Sequence, residues 1–240
     1  MNHIAHAEID RTPPKHDAAW TIGIAARPAQ HAPVAGAREA SFADRETLCE
    51  EGARADQIFI VAQGAVMLSK LLPDGRRQII ELLGAGDVFG LTNTVLYDTT
   101  ADALTPVRAF LYERRFFEAS PELQRAVSQR MMSQICAMHD HAMLLGRKTA
   151  AERVASFLMG LIPNRGGHGC QGSDAKVDTS HITIPMTRQE IADYLGLTLE
   201  TVSRAFSQLK KDGILKALRH NEIVVTNVCR LCHLTGSSDA

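Results

Sequence analysis

The stretch Thr187–Gly213, TRQEIADYLGLTLETVSRAFSQLKKDG, carries the signals of two short helices separated by a tight turn. Thr187 and Glu190 have the S/T-x-x-E spacing of a capping box, which satisfies two orphan amides and starts the first helix at Thr187. Ile191 and Leu195 give that helix an apolar stripe, small Ala192 permits close helix approach, and Gly196 supplies the turn. Thr198 is placed to cap the second helix. Val202, Ala205, Phe206 and Leu209 then fall at i, i+3, i+4 and i+7, the spacing of a buried face. Lys210 and Lys211 bring cations to the C-terminal end of the dipole, and Gly213 closes the helix. Another face repeats the same spacing with Glu200, Ser203, Arg204 and Ser207, all hydrogen-bonding side chains.

Two helices joined by a short Gly-containing turn form a helix-turn-helix, whose second helix can enter a DNA major groove with its N-terminal residues at the base edges. Arg204 can donate two hydrogen bonds to guanine, and Glu200 can accept one from a cytosine or adenine amino group. Taken singly, these residues have plainer explanations. An exposed Arg is usually solvated, and a Glu in a first helical turn is favoured by the dipole alone. It is the combination of turn, cap, buried face and polar face that points to DNA. The following segment, ILKALRHNEIVVTN, fits a β-wing with Arg219, His220 and Asn221 at its turn.

The rest of the chain is consistent with that reading. Its 240 residues are 45% hydrophobic, enough for two modest domains with real cores. The net charge of −1 hides a polarity. Residues 1–146 hold 14 Lys and Arg against 18 Asp and Glu, a balance of −4, whereas residues 147–234 hold 12 against 8, a balance of +4. A basic C-terminal third suits a polyanionic partner. No run of 18 apolar residues predicts a membrane span, and the N-terminus lacks the basic and apolar regions of an export signal. The expected location is the cytoplasm, where Cys49, Cys136, Cys170, Cys229 and Cys232 would be reduced thiols.

Residues 1–40, rich in Ala, Pro and His, read as a loose extension. Residues 41–118 contain short apolar runs broken by Gly64, Gly75, Gly84, Gly86 and Gly90, the pattern of an antiparallel sandwich or barrel. Residues 119–146 turn helical, with Ser120 as N-cap and Pro121 at the first helical position. Met131, Ile135, Met138, Ala142 and Leu145 follow a 4-3-4-3 spacing, a heptad seam facing either its own domain or a second chain. Residues 147–234 comprise an amphipathic helix (TAAERVASFLMGLI), a long Gly/Ser/Asp loop and the DNA-binding unit; 235–240 form a tail expected to fray from about Leu234.

Together, ITIPMTRQEIADYLGLTLETVSRAFSQLKKDGIL, EGARADQIFIVAQGAVML and LGAGDVFG resemble the Crp/Fnr superfamily of bacterial transcription regulators over about residues 41–232. The resemblance implies an α+β fold: an N-terminal cyclic-nucleotide-binding-like β-roll, a long dimerisation helix and a C-terminal winged helix-turn-helix. It also makes the seam intermolecular. The E-x-x-S-R pattern of Glu200–Arg204 is similar to the Fnr/FixK branch, implying a TTGAT-N4-ATCAA-type palindrome and a role in oxygen-limitation or nitrogen-fixation control. By the match, Leu199, Glu200, Ser203 and Arg204 read bases, with Leu199 against a thymine methyl. Thr187, Arg188, Thr198, Thr201, Lys210, Lys211 and Arg219 are the candidates for backbone contact. The implied partners are double-stranded DNA, a second copy of the chain and RNA polymerase, with activation as the expected output.

Two departures narrow the resemblance. Cyclic-AMP-binding members carry a Glu after the third roll glycine and an Arg-Ser/Thr pair for the phosphate. Here Leu91 follows Gly90 and YDTTADALTPV offers no Arg, so a buried phosphate would lack its cation. No cysteine precedes Cys49, so the N-terminal iron–sulfur cluster of Fnr is not expected either. The chain therefore looks FixK-like, with no cofactor, no metal site and no catalytic residues expected; no hydrolase, P-loop or metalloprotease motif occurs. CRLCH at Cys229–His233 matches the c-type haem attachment pattern, but that chemistry needs export. Inert thiols are the plain reading, a redox disulfide or metal binding the lesser ones. The competing reading of the whole chain is a haem- or redox-sensing β-roll whose DNA binding depends on a cofactor; absorption spectroscopy separates the two.

Overall fold

The computed structural model describes residues 33–162, 179–217 and 221–236. Eight short strands come first: β1 (Arg38–Phe42), β2 (Thr47–Cys49), β3 (Gln57–Gln63), β4 (Val66–Leu71), β5 (Arg77–Leu83), β6 (Val88–Phe89), β7 (Thr100–Ala103) and β8 (Val107–Glu113). They form two antiparallel four-stranded sheets, ordered β1-β8-β3-β6 and β2-β7-β4-β5. The two sheets close over Phe59, Val61, Val66, Leu68, Leu83, Phe89 and Leu111, with the Phe59 and Phe89 rings stacked at 4.7 Å. The β3–β4 turn depends on Gly64: its φ is +94°, and a Cβ there would meet the Pro106 carbonyl at 2.3 Å.

The sheet begins earlier than the sequence suggested. Arg38–Ala40 already pair with Leu111–Ala109, and Val34 and Ala37 pack beside Ile58, Ile60 and Tyr112. The expected extension therefore gives way to ordered chain before residue 40. Strand β1 is only five residues long, too short for its alternation to stand out, and what recruits it is the open edge of β8.

After the roll come α1 (Arg114–Ala119), α2 (Pro121–Arg147) and α3 (Ala150–Gly160). Ser120 Oγ accepts from Leu123 N at 3.3 Å, so the N-cap and Pro121 stand where the sequence placed them. Leu123, Val127, Gln134, His141 and Leu144 are the buried residues of α2. Met131, Ile135, Met138 and Ala142 are exposed on a different arc. Leu145 is the exception to the expected seam. It is half-buried against the core of the C-terminal half, and its carbonyl accepts from Arg153 Nη2 at 2.7 Å. A straight helix drifts about 20° per heptad from a seven-residue repeat. Two heptads after Met131, the drift has carried Leu145 toward the buried arc.

The C-terminal half contains β9 (Ser180–Thr183), α4 (Arg188–Leu195), α5 (Leu199–Lys211), β10 (Leu215–Ala217), β11 (Glu222–Val225) and α6 (Val228–His233). Strands β10, β11 and β9 make a small antiparallel sheet, with Leu215 opposite Val225 and Ile223 opposite Ile182. This is the wing hairpin; Arg219 and His220, expected at its turn, lie outside the described residues. The expected frayed tail from Leu234 is only partly so. Thr235 is buried, its hydroxyl donates to the Cys232 carbonyl at 2.7 Å, and a Cβ on Gly236 would sit 2.5 Å from the Glu152 carboxylate.

The two halves share one core. Ala65, Met67, Ile79, Leu82 and Leu104 of the roll join Leu144, Phe157, Leu158, Ile191, Leu195 and Phe206 in a single buried cluster. Ion pairs edge that junction. Arg45 Nη1 meets Glu190 Oε1 at 2.6 Å, Arg45 Nη2 donates to the Pro185 carbonyl at 2.8 Å, and Arg77 Nε donates to Asp193 Oδ2 at 2.9 Å. Among the described residues, no helix is long and apolar enough to cross a membrane.

Candidate nucleic-acid interface

Helix α4 is started by a reciprocal cap. Thr187 Oγ1 accepts from Glu190 N at 3.1 Å, while Glu190 Oε2 accepts from Thr187 N at 2.7 Å. Gly196 then takes the left-handed conformation at φ +61° and turns the chain. Thr198 starts α5: its Oγ1 accepts from Thr201 N at 3.2 Å and lies 2.8 Å from Thr201 Oγ1. Val202, Phe206 and Leu209 are buried, and Ala205 packs against the same cluster, so α5 is anchored along the predicted face.

The polar face is turned to solvent. Glu200 and Arg204 are about three-quarters exposed, at 72% and 77%, and form an ion pair in which Arg204 Nη2 donates to Glu200 Oε1. Leu199 also faces water at the first helical position, 45% exposed. An apolar side chain beside an exposed ion pair is a mixed surface suited to a base edge carrying both polar groups and a methyl. Ser203 is half-buried. Ser207, which the spacing placed on the same face, spends its hydroxyl on the Ser203 carbonyl at 2.9 Å. Lys210 and Lys211 are exposed in the last turn of α5, and Lys216 is exposed on β10.

Four of the candidate backbone-contact residues have roles inside the fold. The Thr187 and Thr198 hydroxyls are caps, and Thr201 shares the second. Arg188 lies with its guanidinium 3.4 Å over the Phe206 ring, half-buried, with burial lowering its pKa. This stack ties the start of α4 to the middle of α5. The sequence held no signal of it, because the contact joins two helices across the turn.

At the roll, Leu91 sits half-buried beside Ile58, Ile60, Val88 and Tyr112. The loop after it is fastened by protein donors: Arg114 Nη1 donates to Thr94 O at 2.9 Å and Ala55 O at 3.3 Å, and Nη2 donates to Thr92 O. Among the described residues, no group of three or more His, Cys, Asp or Glu side chains could hold a metal ion.

Comparison with known proteins agrees with both halves. The Crp-like helix-turn-helix domain matches residues 152–234, and the cyclic nucleotide-binding domain matches residues 39–120. The nitrogen fixation regulation protein FixK of Bradyrhizobium diazoefficiens is 36% identical over 202 residues, covering 81% of this chain and 80% of that one. The transcriptional activatory protein AadR of Rhodopseudomonas palustris is 34% identical over 185 residues, covering 75% and 74%. The structure of FixK2 from Bradyrhizobium japonicum superposes with a TM-score of 0.69 at 37% identity, covering 85% of this chain and 99% of that chain. A CRP-family transcriptional regulator from Thermus thermophilus reaches the same TM-score of 0.69 at 23% identity, covering 82% and 97%, which shows the fold alone.

Proposed function

The chain belongs to the Crp/Fnr superfamily of transcription regulators, in its FixK-like branch, and on that premise we propose that it reads a TTGAT-N4-ATCAA-like palindrome as a homodimer. It is a DNA-binding transcription regulator. The observation that carries the finer reading is the face of exposed Leu199, Glu200 and Arg204, with half-buried Ser203 between them, on a helix whose opposite side is buried. In the complex, Arg204 exchanges Glu200 for a guanine edge, Glu200 accepts from a base amino group, and Leu199 covers a thymine methyl. Lys210, Lys211 and Arg219 would contact phosphates, as would the capping hydroxyls of Thr187, Thr198 and Thr201. Arg188 acts by holding α4 against α5.

Dimerisation is supported by the outward arc of α2, where Met131 is 38% exposed, Ile135 40% and Met138 49%. Such a stripe on a 27-residue helix is suited to a second copy of itself. Two α5 helices would then stand about one DNA turn apart, roughly 34 Å. Activation accords with the name of AadR and nitrogen-fixation control with that of FixK; RNA polymerase as the partner and a role in oxygen limitation rest on the Crp/Fnr resemblance alone. Leu91 and the Arg114-fastened loop support binding without cyclic AMP.

The test is a titration of purified protein against the palindrome and a scrambled duplex, with sedimentation at micromolar concentration. The expected outcome is a dimer that prefers the palindrome with nothing added. A chain that stays monomeric on the palindrome, or that gains large affinity on addition of cyclic AMP, would overturn the reading.

A further inference from the structure

The CRLCH motif plays no part in the surface just described. It folds as α6, with Val228 and Leu231 buried in the shared core and Cys229 and Cys232 half-buried as reduced thiols. At i and i+3, the two cysteines occupy one side of the helix. Helix α6 packs on α3, and Lys148 stands at the start of α3. Lys148 is the C-cap of α2, directly before the Thr149 cap of α3, and its ammonium donates to Ser156 Oγ at 2.7 Å. The chain just past α6 meets the start of α3, where a Cβ on Gly236 would lie 2.5 Å from the Glu152 carboxylate; burial lowers the Lys148 pKa, and the charges of Glu152 and Cys232 work in the opposite direction. A cation beside a partly exposed thiol favours the thiolate, the nucleophilic form. Cys49 is the contrast: burial pushes its thiol up to about 12 and leaves it unreactive.

We propose that Cys229 and Cys232 are a peroxide-responsive dithiol, with Cys232 attacking and Cys229 resolving. The Cys232 thiolate attacks one peroxide oxygen, the O–O bond breaks, and the departing hydroxide takes a proton to leave as water. Cys232 becomes a sulfenic acid. The Cys229 sulfur, giving up its proton, then attacks the Cys232 sulfur. The S–S bond forms and the hydroxyl leaves as a second water. Two thiols are oxidised by two electrons in all, and one hydrogen peroxide is reduced to two waters.

The helix must tighten for the bond to close. In an α-helix, Cβ atoms at i and i+3 are about 5–6 Å apart, whereas a disulfide holds them at about 3.5–4.5 Å. A 3₁₀ turn eclipses i and i+3. The end of α6 already carries such bonds, Leu234 N to Leu231 O at 3.1 Å and Thr235 N to Cys232 O at 2.9 Å. Tightening the whole helix draws on Val228 and Leu231, which pack in the core that α3 and α5 share.

The experiment uses the full chain, treated with hydrogen peroxide and digested with trypsin without reductant. Trypsin cuts after Arg230, between the two cysteines, so an intramolecular bond keeps the two peptides joined until dithiothreitol is added. In Cys229→Ser, dimedone should trap a sulfenic acid at Cys232. Lys148→Met should slow alkylation of Cys232 and move its pH midpoint upward. The proposal is overturned if the linkage runs to Cys170 or to a second chain, if dimedone labels Cys229 in Cys232→Ser as readily as the reverse, or if Cys232 of the wild-type chain alkylates no faster than exposed Cys136.

Discussion

Arg204 and Glu200 occupy each other in the unbound chain, and this sets what their replacement does. The pair is exposed, so breaking it costs little in stability. What Arg204→Ala loses is a bidentate guanine contact, about 1–3 kcal/mol per half-site. Titration against the palindrome and against duplexes substituted at the guanine should show the mutant unable to tell them apart; retained discrimination would mean that α5 reads no bases through Arg204. Glu200→Ala acts in the other direction. It removes a negative charge near phosphates, so non-specific affinity should rise while discrimination falls. Lys210→Ala or Lys211→Ala should weaken all sequences alike and lower the salt slope by about 1. At this scale the sequence was legible where one residue's neighbours lie three or four positions away. Glu200 and Arg204 could be placed on one face, whereas the stack of Arg188 on Phe206 depends on how α4 crosses α5.

Elements were legible in proportion to how much of their signal is local. The Thr187–Glu190 box, Gly196, Thr198 and Ser120–Pro121 each act over at most four residues, and each stands in the structure as read. Helices α1 and α6, at six residues each, are too short to show a period, and neither was anticipated. Removing the cap hydroxyl in Thr187→Ala should cost about 0.5–2 kcal/mol, read from urea denaturation. The long helix makes a sharper prediction, because its seam faces water in one chain and would be dry in two. Met138→Glu places a charge in the middle of that arc, where Met138 is 49% exposed. The single chain should tolerate it, since the side chain meets solvent there. Two chains should not, because a charge would be buried without a partner. The expected outcome is a folded monomer by sedimentation, with palindrome affinity lost together with the dimer. A folded mutant that still sediments as a dimer would move the interface elsewhere.

What was least legible is how the halves meet, since Arg45–Glu190 and Arg77–Asp193 join residues 145 and 116 positions apart. The junction also buries groups that titrate. Gln134 of α2 donates to Glu81 Oε1 of β5 at 3.1 Å, and His141 Nε2 lies 3.0 Å from the Tyr194 carbonyl of α4, its ring stacked on Tyr194 at 4.1 Å. Burial pushes the Glu81 carboxyl up to about 7, the Gln134 amide opposes this, and Asp87 adds to it. Burial lowers the His141 pKa below its usual 6.5, against the pull of the Tyr194 and Ile80 carbonyls. The two groups bias stability in opposite directions. Between 4.5 and about 7 the folded chain keeps a proton on Glu81 that the unfolded chain has released, so this contribution falls as pH rises. Below 6.5 the unfolded chain takes up a proton that folded His141 resists, so this contribution falls as pH drops. Where both titrate they oppose each other, so the wild-type junction should respond to pH less than either group would alone. Glu81→Gln keeps an oxygen for the Gln134 amide and removes the titration. Its urea midpoint should rise with pH up to about 6.5 and then level, and above about pH 7 it should exceed wild type, where the native carboxylate is held ionised against burial. Equal midpoints for mutant and wild type at pH 8 would show that Glu81 carries no such penalty and that water reaches the junction.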